Sequence, residues 1–220
     1  ESIQHLREAS RLNPKQPEAH IVLGLSHFQV EQYEPSLQAF QEGIRHNPDN
    51  ADLHFNAGTA YDKLNRFDDV VKSMQTTLAL DPHHADAMNY LGYSYAERGV
   101  KIEEAIALTK QAVALRPTNG YYVDSLAWAF FKKGLLAEAL AEMKRAVALV
   151  GDDPVIYEHL GEIYLKQQHL SDGREALLHS LELEPSNDKL MQRFRELGLG
   201  DPAKEERIRQ ALRRVSDRKG

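Results

Sequence analysis

Residues 51–84 read ADLHFNAGTAYDKLNRFDDVVKSMQTTLALDPHH, and residues 85–119 read ADAMNYLGYSYAERGVKIEEAIALTKQAVALRPTN. Laid one above the other, the two stretches share an opening alanine, a glycine at the eighth position (Gly58, Gly92), a tyrosine at the eleventh (Tyr61, Tyr95) and a proline near the end (Pro82, Pro117). Working outward, Pro14, Pro48 and Pro82 lie 34 residues apart and Pro117 follows after 35. A fixed period of that size marks a repeat array. In a register opened at Pro17, the eighth position is Gly24, Gly58, Gly92, Ala127 and Gly161; the seventh is Leu23, Ala57, Leu91, Leu126 and Leu160; the eleventh is His27, Tyr61, Tyr95, Phe130 and Tyr164.

Within each unit the apolar residues recur at helical spacing, break at a turn, and recur again, as in Ala139, Met143, Ala146 and Leu149 of the fourth. Each unit is therefore a pair of helices. The units run 17–50, 51–84, 85–119, 120–153 and 154–187, and the third carries one extra residue in its turn, around Gly99, Val100, Lys101 and Ile102. Helices approach closely only where one presents little side chain, which explains the small eighth residue, and the large eleventh fills the space beside it. Proline stops the second helix by disfavouring helical dihedrals in the residue before it. In the fourth unit Gly151 takes that role.

This pattern resembles the tetratricopeptide repeat, and the resemblance covers nearly the whole chain. It implies an all-α, right-handed superhelical solenoid of helix-turn-helix repeats. The chain departs from the family pattern at the fourth position (His20, His54, Met88 and Val123, with only Tyr157 aromatic) and at the twentieth (Ser36, Val70 and Gly173), which bears on local packing. The runs GYYVDSLAWAFFKKG (120–134) and DPVIYEHLGEIYLKQ (153–167) also look like bacterial repeat adaptors attached to the inner face of the outer membrane. That narrower likeness implies a periplasmic setting, with the cytoplasm as the alternative.

Composition narrows the function classes. The chain has 220 residues and no cysteine, which excludes disulfides, thiolate metal sites and thiol nucleophiles. Its apolar runs fall short of the roughly 20 residues a bilayer crossing needs. A net charge of −6 argues against duplex nucleic acid as partner. The charge is uneven: residues 201–220 hold 7 basic and 4 acidic side chains, so the first 200 residues carry −9.

At the N-terminal side, residues 1–16 match the second helix of a truncated repeat, with Ser2, Leu6, Ala9 and Leu12 in register and Pro14 closing it, so the native chain is expected to extend further. Residues 188–220 read as a partial repeat and a basic terminal helix. Leu190, Met191 and Phe194 begin a sixth first helix; Gly198, Gly200 and Pro202 interrupt it; a last helix runs from about Ala203 to Val215. Its Ile208, Ala211, Leu212 and Val215 share one face, as expected of a helix shielding the end of a stack. Lys204, Arg207, Arg213, Arg214 and Arg218 crowd the others, expected to be solvated or, failing that, to meet anionic lipid or nucleic acid.

The resemblance places the first helix of each unit on a concave side. The expected partner-binding residues are then Phe55 and Asn56 from the second unit, Asn89 and Tyr93 from the third, Tyr121, Asp124, Trp128 and Phe131 from the fourth, and Glu158, His159 and Glu162 from the fifth. This surface is acidic with an aromatic centre. Trp128, the only tryptophan, and Phe131 lie on one helix face and would offer an open apolar pocket, the alternative being rings covered by the next helix. Burying one ring yields at most about 4 to 6 kcal/mol, against about 0 to 1 kcal/mol for an exposed ion pair. The rings should hold and the carboxylates select. The clamp by which one branch of the family grips a free C-terminal carboxylate is absent, its fifth position being Ile21, Phe55, Asn89, Asp124 and Glu158.

His83 and His84 beside Asp81 and Asp86, and His159 with Glu162 and Asp124, could each be weighed as a metal site, but neither has zinc-ligand spacing. His20, His27 and His54 occupy packing positions. Ser26–His27 and His179–Ser180 point to different sides of their helices, and no nucleophile elbow or phosphate loop occurs. The expectation is a binding adaptor without chemistry, cofactor, metal or small-molecule substrate, taking an extended or helical protein segment with basic and apolar residues. Membrane contact would come only through the basic terminal helix or a preceding anchor. The competing readings are a self-assembly module joined through Ile3, Leu6, Ala9 and Leu12, and the targeting arm of a larger enzyme.

Overall fold

A computed structural model describes residues 2–198 and 202–217, and of the residues in the last helix it describes only some side chains. Among the described residues the chain is helical without strands: α1 (Ser2–Leu12), α2 (Pro17–Gln29), α3 (Tyr33–His46), α4 (Ala51–Lys63), α5 (Phe67–Leu80), α6 (Ala85–Arg98), α7 (Ile102–Leu115), α8 (Gly120–Lys133), α9 (Leu136–Val150), α10 (Pro154–Lys166), α11 (Leu170–Leu183), α12 (Asp188–Glu196) and α13 (Pro202–Asp217). It forms two compact units, Glu1–Leu91 and Gly92–Gly220. No helix among the described residues is long and apolar enough to cross a membrane.

The period fixes where helices start. The residue before every first helix except α2 is a side-chain cap; Gln16, before α2, makes no such bond. Asn50 accepts from Leu53 N–H at 3.0 Å, Asn119 from Tyr121 at 3.1 Å, Asp153 from Val155 at 2.9 Å and Asn187 from Leu190 at 3.0 Å. His84 plays the same part with its ring, Nδ1 accepting from Ala87 N–H at 3.1 Å. Each cap satisfies an N–H that the helix cannot.

The period also fixes the turns. The fifteenth position of every unit is left-handed: Glu31 (φ 60), Asn65 (φ 58), Gly99 (φ 68), Gly134 (φ 85) and Gln168 (φ 64). Only two of the five are glycine, the residue that adopts this conformation without a Cβ penalty. Lys101 (φ 48) adds a second left-handed residue at the extra position of the third unit, where the repeat register places the insertion.

In the first unit, α2 and α3 close on each other where Gly24 faces Phe40, and a Cβ there would run into the ring. Phe40 is fully buried with Leu37, Leu53, Ala57 and Ala60. The same register recurs in the second unit, where Gly161 of α10 faces Leu177 of α11. The departures at the twentieth position are absorbed locally: Ser36 is fully buried and donates to the Gly24 carbonyl at 2.8 Å, while Gly173 lets Leu165 lie against the backbone.

At the C-terminal side, Leu190 and Phe194 of α12 and Ile208 of α13 join Leu177, Leu178 and Leu181 of α11 in one core. Ala211 is buried too, whereas the side chains of Leu212, Val215, Lys204, Arg214 and Arg218 lie outside the described residues, as do residues 199–201. On the basic face Arg207 is exposed, as expected, and is also paired. Its guanidinium pairs with Glu182 at 2.6 Å and Glu175 at 3.3 Å, tying α13 back to α11. The hydrogen bond to Glu182 raises the Arg207 pKa above the ordinary arginine value. On α1, Ile3 and Leu6 are half-buried while Ala9 and Leu12 are exposed.

Candidate functional site

In the second unit the expected site residues gather on neighbouring first helices. Trp128 of α8 lies at its centre. Its ring is near-parallel to His159 of α10, with centroids 4.0 Å apart and planes 16° apart, and to Phe131, at 4.8 Å and 20°. The indole N–H donates to the Glu97 carboxylate of α6 at 2.6 Å, and Lys132 Nζ stands 4.8 Å from the ring. Trp128 is 7% exposed. The expectation of an open tryptophan pocket is therefore corrected: each repeat brings its neighbour's polar residue over the ring, and the indole is a packing element.

Asp124 and His159 are buried together, with His159 Nδ1 donating to Asp124 Oδ1 at 2.8 Å. A carboxylate only accepts, so the hydrogen resides on Nδ1. Burying this pair costs desolvation, which stacking on Trp128 and the charge-assisted bond offset. Tyr93 of α6 approaches the same imidazole, ring centroids 6.3 Å apart.

The groove carboxylates form a series of latches between successive first helices. Asp62 of α4 accepts from the Tyr90 hydroxyl at 2.9 Å; Glu97 accepts from Trp128; Asp124 pairs with His159; Glu162 of α10 binds Arg193 of α12 twice, at 2.6 and 2.8 Å. Its hydrogen bonds to Glu162 raise the Arg193 pKa above the ordinary arginine value. Several of these acids are those expected to form a selecting surface; they are engaged within the fold. Arg193, absent from the expected site residues, is legible in the sequence only as a helix-face charge.

What stays open is apolar. Tyr121 is 56% exposed and Val155, at the same register of the next first helix, is 48% exposed; Phe131 and Tyr93 are half-buried. Glu158 is half-buried as well.

In the first unit, Phe55 packs on His84 (4.9 Å) and Tyr90 (6.2 Å). Asn56 donates to its own helix at Asp52 O, 2.7 Å, which leaves its amide oxygen facing away from that bond. The Asn89 side-chain oxygen is buried and has no hydrogen-bond partner among the described residues. Val22 and Leu25, at groove positions of α2, are 46% and 44% exposed, an apolar pair that the focus on aromatic residues passed over.

The histidines behave as packing residues. His20 and His54 donate from Nε2 to the Pro14 and Pro48 carbonyls at 3.0 and 2.8 Å, and His27 donates to Gln32 at 2.8 Å. Ser26 turns to Val22 O, His179 to Asp152 and Ser180 to Pro154 O, so neither serine-histidine neighbour forms a dyad. Among the described residues no three His, Asp or Glu side chains converge as metal ligands.

Residues 21–69, 55–120 and 101–154 each match the tetratricopeptide repeat family. A TPR repeat-containing protein of Pseudomonas aeruginosa, PA4667, is 36% identical over 76 residues, which is 34% of this chain and 13% of that protein's length. The thermophilic TPR protein TTC0263 of Thermus thermophilus superposes with a TM-score of 0.70 at 21% identity, covering 84% of this chain and all of that one. The TPR protein YrrB superposes with a TM-score of 0.63 at 15% identity over 86% of this chain and 97% of its own. These likenesses carry the solenoid fold.

Proposed function

The chain belongs to the tetratricopeptide repeat family, whose fold is in general a protein-interaction scaffold without catalysis, and we propose that it is a binding adaptor that takes a protein segment on the first-helix face of its second unit. The observation that carries this reading is the exposed apolar surface of Tyr121 and Val155 beside a floor whose polar atoms already have partners. The stack of Phe131, Trp128 and His159 makes that floor rigid, so a guest side chain would lose its own freedom without ordering the host. YrrB, similar in fold, has an unusual peptide-binding site.

The guest's apolar residues would supply most of the affinity. Its basic residues would meet Glu158 and the outer edge of Glu97, contributing selectivity more than strength. Selection of a random peptide library on the immobilised protein tests this. Peptides pairing apolar with basic residues are expected, bound about tenfold more weakly by Tyr121→Ser and Val155→Ser proteins that melt like wild type. Selected peptides indifferent to both substitutions would defeat the proposal.

A further inference from the structure

The eleventh position of each unit is an aromatic ring in four of five cases, and each ring carries a polar partner. Arg66 lies over Tyr61 (4.5 Å), Lys101 over Tyr95 (4.8 Å), Lys110 over Phe130 (5.3 Å) and Lys144 over Tyr164 (5.8 Å). Three of these rings are also reached from one register of the preceding second helix: Gln41 Nε2 donates to the Tyr61 hydroxyl at 2.9 Å, and Lys110 and Lys144 are the cations on Phe130 and Tyr164. Thus for three of the four rings a side chain of the preceding second helix meets a ring of the next first helix.

In the first repeat the corresponding pair is Arg7 of α1 and His27 of α2, and there the ring is missing. The smaller imidazole is held back by Gln32 at 2.8 Å. Arg7 and His27 instead line a cavity of about 680 Å³, floored by Leu23 and His20 and walled by Ala39 and His46 of α3. The Arg7 guanidinium has no ion pair or ring among the described residues. His20, 2% exposed, donates from Nε2 to Pro14 O, and its Nδ1 is buried without a partner among the described residues. With Nε2 carrying the hydrogen, Nδ1 of the neutral ring is an acceptor that lacks a donor.

We infer that this cavity receives a tyrosine side chain from an acidic segment of a partner protein. An aromatic ring restores the stack the other repeats build internally, with Arg7 over its face. The phenol hydroxyl supplies the donor that His20 Nδ1 lacks. A carboxylate flanking the tyrosine complements Arg7, which edges the cavity on the α1 side; Arg11 beside it is already held by Glu8 at 2.7 Å, and Glu42 lines the α3 wall. The surface lies wholly in the first unit and is independent of the face proposed for the second.

The test uses the whole chain with the peptide acetyl-Glu-Tyr-Glu-amide and its phenylalanine counterpart, followed by NMR of the histidine ring and arginine side-chain signals. The tyrosine peptide is expected to shift His20, His27 and Arg7 saturably. Binding should weaken about fivefold or more in Arg7→Gln, an exposed change that leaves packing intact, and by a smaller factor for the phenylalanine peptide. His27→Tyr should fill the cavity with the chain's own ring, abolish the shifts and raise the melting temperature. Absence of saturable shifts at these three residues in the wild-type protein, or shifts that persist unchanged in Arg7→Gln, overturns the inference.

Discussion

The imidazole of His159 lies against the indole of Trp128 with 4.0 Å between ring centroids and 16° between planes, while its Nδ1 donates to Asp124 at 2.8 Å. One side chain thus joins two residues of the preceding first helix, one by dispersion and one by charge. The central aromatics of this face are structural first and available to a partner only at their edges.

Trp128→Ala should accordingly destabilise the protein by about 3 to 5 kcal/mol, because a buried ring is removed and the Glu97 carboxylate loses its donor. Tyr121→Ser, at a 56% exposed position, should stay within about 0.5 kcal/mol. Chemical denaturation of the two variants separates them, and equal midpoints would contradict the buried placement of the tryptophan.

Breaking the Asp124–His159 pair from either side should be costly and non-additive. Asp124→Ala and His159→Ala each leave a buried polar group without its partner, and each should cost about 2 to 4 kcal/mol. Since the double variant leaves neither orphan, a double-mutant cycle should return a coupling of about 1 kcal/mol or more. Strict additivity would mean the two side chains do not meet.

Substitutions at the eighth and fifteenth repeat positions should have opposite signs according to what the backbone requires. Gly24→Ala and Gly161→Ala force a methyl into Phe40 and Leu177 and should cost about 1 to 3 kcal/mol. Gln168→Gly relieves a left-handed residue and should stabilise by about 0.5 to 1 kcal/mol, since the strain removed exceeds the added chain entropy. Thermal melts check the signs, and a destabilised Gln168→Gly would show that the side chain makes contacts worth more than the strain.

The hold of Arg207 on α11 should be local and salt-sensitive. Arg207→Ala removes exposed pairs with Glu182 and Glu175, each contributing about 0.2 to 1 kcal/mol, so global stability should fall only slightly. Amide exchange in residues 202–217 should accelerate, more at low salt than at high, because screening already weakens the pairs in the wild type. Unchanged exchange would assign the docking of α13 to Ile208 and Ala211 alone.

Much of this molecule was legible from one line of letters. The period located Gly24 and Gly161 at close approaches and Gly99 in a turn, because each of these roles is decided within one helical hairpin. Helical periodicity likewise put His20 and His27 in packing positions, where they are buried.

What sequence could not decide was which groove residues would be left over for a partner. The register says that Trp128, Asp124 and Glu162 face the same way, and it says nothing of what the adjoining repeat brings to meet them. Glu97 lies 31 residues before Trp128, His159 lies 35 after Asp124, and Arg193 lies 31 after Glu162, so each latch forms between repeats. Short-range spacing determined the hairpins, since dihedrals, caps and i to i+4 contacts are local; the character of the surface was settled only by stacking, which brings residues about one period apart within hydrogen-bond reach.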